Sequence, residues 1–162
     1  MNKRHRALCA GPLLLFLIDI SLTLWGQPAS YWAGDYTSAI ETSPEVRRVM
    51  MIHPALLFLM IAVWMGVIVL LIHLLPRLFA ELFSVATTIA HTACASSWLN
   101  RHFSYSYQLT IGLSIASACL VVMSLRAGRQ TPVETESKSG PRMWLIVAFL
   151  LIVIAYAVVY PH

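Results

Sequence analysis

The sequence predicts an all-α, polytopic integral membrane protein with five transmembrane helices. Three observations carry that prediction. Hydrophobic residues make up 59% of the 162-residue chain and charged residues only 11%, against about 25% charged in a soluble domain. The apolar residues fall in runs of about 18 or more, the length at which a helix crosses ~30 Å of hydrocarbon. The basic residues gather at the ends of those runs. Little sequence is left for soluble mass, so 1–162 reads as a single membrane domain.

The first span covers 8–26, with Lys3, Arg4 and Arg6 before it. This start is signal-peptide-like, but the end of the run, Leu24-Trp25-Gly26-Gln27-Pro28, lacks a small-residue cleavage pattern. An uncleaved span is expected. Pro12 falls in its early turns, where proline is tolerated. The loop 27–48 is polar and aromatic, and long for a connection without structure of its own.

Thr42-Ser43-Pro44-Glu45 spells a helix start. Ser43 suits the N-cap, Pro44 the first helical position and Glu45 the positive end of the helix dipole. That helix continues into the second span, 49–75. Pro54 inside it removes a backbone hydrogen bond and predicts a kink near Met50, with His53 alongside. Pro76 ends the span.

The third span, 78–99, is the most polar, with Glu81, Ser84, Thr87, Thr88, His91, Thr92 and Cys94. A four-span alternative lays this run in the membrane interface. The fourth span, 105–125, carries Gly112 and Ala116, a small-xxx-small pair suited to close helix packing. A polar linker, 126–142, leads to a fifth span, 143–160, bounded by the interface anchors Trp144 and Tyr160.

The basic residues set an orientation. With the N-terminus inside, inner segments hold Lys3, Arg4, Arg6, Arg77, Arg126, Arg129, Lys138 and Arg142. Outer segments hold Arg47, Arg48 and Arg101, as the positive-inside rule requires. Loop 27–48 is then outer and linker 126–142 inner, in what we expect is a bacterial cytoplasmic (inner) membrane. The net charge of +4 is thus a topology signal. No basic stripe interleaved with aromatics points to nucleic acid. Cys9, Cys94 and Cys119 form no C-x-x-C pair and no disulfide framework.

Asp19 is the anomaly, an acid inside an apolar span. Intramembrane ionisable residues are costly, face bundle interiors and pair with one another. Asp19 lies seven residues before Gly26 and His91 seven before Trp98. At 1.5 Å per residue both sit about 10 Å below the outer surface. The inference is that spans one and three turn these two faces together. Thr23 is one turn from Asp19, His53 lies in the same half of the membrane, and Glu41 stands in the loop above.

Several roles suit that group. One is a hydrogen-bonded structural acid. Another is a divalent metal, zinc or similar, on Asp19, His53 and His91 with Glu41. A third is haem b between His53 and His91. A fourth is proton transfer through Asp19 and His91, although the apolar inner half offers no path across the whole membrane. No G-x-S-x-G, P-loop, G-x-G-x-x-G or C-x-x-C-H motif marks an enzyme.

The leading expectation is therefore a small non-catalytic helical subunit of a larger membrane complex. Its partners would be the lipid bilayer and other membrane subunits, with Tyr31, Trp32, Tyr36, Gly112 and Ala116 as contacts. The alternative is an outer-leaflet metal, haem or small-ligand site on Asp19, His53 and His91, open to an enzymatic role, with Glu41 as a loop-borne ligand or base.

Overall fold

The computed structural model describes residues 3–130. Its order is α1 (Lys3–Trp25), a short α2 (Ala29–Trp32), a 3₁₀ turn (Tyr36–Ser38), α3 (Pro44–Ile52), α4 (Pro54–Leu74), α5 (Arg77–His102) and α6 (Ser106–Gln130). No strand occurs among the described residues. Four helices, α1, α4, α5 and α6, are long and apolar enough to cross a membrane. The expected fifth span, 143–160, lies outside the described residues. The helix α6 runs on through Gln130, so the expected linker begins as helix.

The four long helices pack side by side with alternating direction. Two contacts far apart fix α1 and α5 as parallel: Ser84 Oγ donates to Leu8 O at 2.6 Å, and Trp98 covers Gly26. Between them Thr88 closes on Gly11, where an added Cβ would lie 3.0 Å from its hydroxyl. Small residues admit such approach, and within lipid this van der Waals contact holds helices together. The helix α4 is antiparallel to α1. Leu8 and Cys9 cluster with Ile68 and Ile72, whereas Phe16 clusters with Leu57 and Ile61. The helix α6 is antiparallel to α5, through Thr92 Oγ1 to Ser117 Oγ at 2.8 Å and Thr110 to Asn100 at 3.4 Å. The third apolar run thus lies alongside α1 rather than across its end.

The most deeply packed helix is α1. Of the residues in its most apolar window 44% are buried, against 11% in α6, which is the most outward-facing of the four. The outward residues are apolar, among them Leu17, Phe58, Val63, Ile89, Ile115 and Met123. Apolar residues outside as well as inside are what a lipid environment selects.

The second apolar segment departs from the expected kink. The chain breaks fully at His53, giving α3 and α4. The residue before a proline avoids the helical region, and His53 is extended at φ −171° and ψ 137°. Pro54 then becomes the first residue of α4, and His53 Nδ1 caps it by accepting from Ala55 N at 3.1 Å. The break leaves the Met50 carbonyl without its i+4 amide, because Pro54 has none. The buried Tyr31 hydroxyl supplies the missing donor at 3.4 Å.

Candidate functional site

The parallel register of α1 and α5 brings Asp19 and His91 together. His91 Nδ1 lies 2.8 Å from Asp19 Oδ2. Asp19 is 8% exposed, and the edge of Phe16 packs on the His91 ring at 4.7 Å between centroids. An ionised carboxylate only accepts, so His91 Nδ1 donates this bond. Neither Nε2 nor the second Asp19 oxygen, Oδ1, has a hydrogen-bond partner among the described residues.

A folded loop closes over this pair. Gln27 is its staple. Its side-chain Nε2 donates to Thr23 O at 2.7 Å and Ile40 O at 2.8 Å, and its Oε1 accepts from Ile40 N at 2.8 Å. One amide side chain therefore ties the end of α1 to the far arm of the loop. Gly34, at φ +105°, makes the turn that only glycine takes without strain. Tyr31 anchors the loop from within, fully buried, with Tyr36 edge-on at 5.6 Å. Burial, and then Tyr36, hold its phenol above the ordinary tyrosine range. It stays protonated at neutral pH and can donate to Met50. Glu41 folds back so that Oε1 accepts from Thr42 N and Ser43 N at 2.6 and 2.9 Å. Ser43 caps α3 by accepting from Val46 N at 3.5 Å.

Between loop and pair lies a cavity of about 330 Å³. Asp19, Thr23, Glu41 and His91 all line it. Its walls include Phe16, Ile20, Trp64 and Trp98. Four of the residues singled out from sequence thus share one space. His53 does not join them. It caps α4, is exposed, and packs against Tyr36 at 5.3 Å.

Consequently the three-ligand arrangement of Asp19, His53 and His91 is not assembled. No group of three His, Cys, Asp or Glu is placed to hold a metal ion among the described residues. The His53–His91 haem arrangement meets the same obstacle, since His53 faces neither the cavity nor His91's surroundings. Glu81 pairs with Arg77 at 3.1 Å.

The expected contact residues separate too. Trp32 is exposed and Tyr36 half-buried, but Tyr31 is interior and presents nothing to a partner. Gly112 and Ala116 are exposed, and nothing among the described residues lies within 4 Å of a Cβ built on Gly112. Two residues that hold the site were not singled out. Gln27 follows Thr23 by four positions at the edge of the span, a spacing that marks it as a cap. Gly26 sits where a Cβ would lie 2.5 Å from the Trp98 ring.

Above the cavity the loop end of the bundle is aromatic. Trp25 stacks on Phe103 at 5.2 Å, and Trp98 stacks on His102 at 5.3 Å. Tyr105 and Tyr107 are more than two-thirds exposed at the same end. Amphipathic rings of this kind favour the membrane–water boundary.

Comparison with known proteins adds no family: no family model, no curated protein and no solved structure matches the chain.

Proposed function

We propose that this chain is a membrane-embedded binding protein for a small ligand, held at Asp19 and His91 beneath the stapled loop. The observation that carries the reading is the cavity itself. A well-packed helix bundle closes over its polar residues, yet here about 330 Å³ is kept open against a buried carboxylate and an oriented imidazole. Small-molecule sites are mostly apolar concavities of about 300–1,000 Å³ with a few convergent polar groups, and this one is at the small end. With the N-terminus inside, the cavity opens in the outer leaflet, and a bacterial cytoplasmic membrane suits the distribution of Arg4, Arg6, Arg77 and Arg126 against Arg47, Arg48 and Arg101. No catalytic role is part of this proposal.

The test is native mass spectrometry of the protein released from its own membranes in mild detergent. Ser97 lines the cavity, and Ser97→Phe should fill it without touching the Asp19–His91 bond. A small-molecule adduct on the wild type that Ser97→Phe lacks supports the reading. Bare protein in both, with no compound of a broad panel raising the melting temperature, overturns it.

A second reading is a helical subunit of a larger assembly. It draws on a groove of about 510 Å³ between α5 and α6, lined by Thr92, Ala93, Ser96, Ser114, Ser117 and Ala118. Small side chains let another helix approach closely. Co-purification of a stoichiometric membrane partner supports it, and a stable partner-free monomer counts against it.

A further inference from the structure

We propose that the Asp19–His91 cavity takes a small organic cation, an ammonium group on an apolar body, with Asp19 Oδ1 as its counter-ion. This rests on the ligand-binding reading above and names the class of ligand.

Charge comes first. Among the described residues Asp19 and Glu41 line the cavity, and neither Lys nor Arg does. His91 can offset one of the two carboxylates at most. An anionic ligand would meet uncompensated negative charge at short range in a poorly screened site, where Coulomb energies are largest. A cation meets the opposite.

Unused acceptors come second. Asp19 is nine-tenths buried, yet one of its oxygens, Oδ1, has no partner among the described residues. Glu41 spends Oε1 on its own loop, and its Oε2 has no hydrogen-bond partner among the described residues. An ammonium has up to three donors and no acceptor, as does the lysine head group. It satisfies such oxygens without presenting a lone pair of its own to them.

The walls come third. Phe16, Trp64 and Trp98 contribute aromatic surface. Aromatic faces attract cations within about 6 Å, tryptophan most strongly. Trp98 already holds one in this way, with the Arg101 guanidinium carbon 5.6 Å from its ring centroid. Ile20, Met60 and Ile68 complete an apolar lining for the body of the ligand.

Two sources present this chemistry, a free lipophilic amine and the ammonium of a phosphatidylethanolamine headgroup. The experiment uses the full chain in phosphatidylglycerol nanodiscs. Benzylamine, an ammonium at neutral pH, and benzyl alcohol, its neutral counterpart, are titrated by calorimetry. Benzylamine should bind saturably and at least about tenfold more tightly than benzyl alcohol, each tenfold being 1.4 kcal/mol. Asp19→Asn should lose that preference. Because Asp19→Asn also disturbs the bond to His91, Glu41→Gln is measured beside it and should weaken benzylamine several-fold with the pair intact.

Discs containing phosphatidylethanolamine separate the sources. Weaker apparent benzylamine binding there identifies the lipid headgroup as a competitor, and unchanged binding identifies a free amine. Either supports a cation site. Equal affinity for benzyl alcohol overturns the cation while leaving a ligand cavity in place. No saturable binding by either compound overturns both.

Discussion

Removing one partner of the Asp19–His91 pair should cost far more than removing both. His91→Phe leaves a carboxylate that is 8% exposed without its donor. Stranding a buried charge in this way costs roughly 3–5 kcal/mol. Asp19→Leu leaves the His91 Nδ1–H without its acceptor, on a side chain 21% exposed. That costs about 1–3 kcal/mol, the usual penalty for an unsatisfied buried donor. The double variant replaces the pair by apolar groups of similar size and should fall within about 1 kcal/mol of wild type, since such replacements are often neutral. The coupling energy should then exceed about 2 kcal/mol, well above the ~0.6 kcal/mol average of neutral interhelical hydrogen bonds in a membrane protein. Reversible unfolding in mixed micelles, titrated with an ionic detergent and read by tryptophan fluorescence, measures all four proteins. Single effects that add to within about 0.5 kcal/mol would show that the two side chains act independently and would refute the reasoning.

Three further outcomes follow from the loop and its anchors. Gly26→Ala should destabilise by about 1–3 kcal/mol, because the new Cβ meets the Trp98 ring at 2.5 Å and that ring is held by His102; unchanged unfolding would mean the ring is not there. Gln27→Ala should release the loop, seen as faster amide exchange at Ile40 and faster protease cleavage between 28 and 42, and retained protection would argue against the staple. Tyr31→Phe should cost about 1 kcal/mol at neutral pH through loss of the Met50 bond. The phenol of Tyr31 is shifted upward in the folded protein. Its stabilisation is therefore complete below the unfolded tyrosine value of about 10 and is lost as pH rises beyond it. Unfolding across that alkaline window should weaken the wild type more than Tyr31→Phe, and parallel curves would contradict the assignment.

The meeting of Asp19 and His91 was legible because depth is legible. Helical rise is constant, and α1 and α5 run in the same direction, so equal distances from Gly26 and Trp98 put the two side chains at one level. Direction around the helix is harder. His53 has a suitable depth in the sequence, but an extended residue before proline aims its side chain by local sterics, and here that aim is toward Tyr36. The Ser43 cap could be read from three neighbouring residues. The choice between a kink and a full break at His53 could not, because both leave the Met50 carbonyl without an amide, and the donor that satisfies it comes from Tyr31, far back in the loop. The burial of Tyr31 was hidden for the same reason. An aromatic in a polar loop looks like surface until the loop is seen to fold under itself.

The bond between α1 and α5 also sets a clock. Asp19 and His91 are 72 residues apart in the chain. At about 5–20 residues per second, a ribosome needs roughly 4–14 s to make the stretch between them. Throughout that interval Asp19 has been synthesised and His91 has not. The first helix must therefore wait with its acid unmatched, and the insertion machinery, or water beside it, has to shelter that helix until the third long helix arrives.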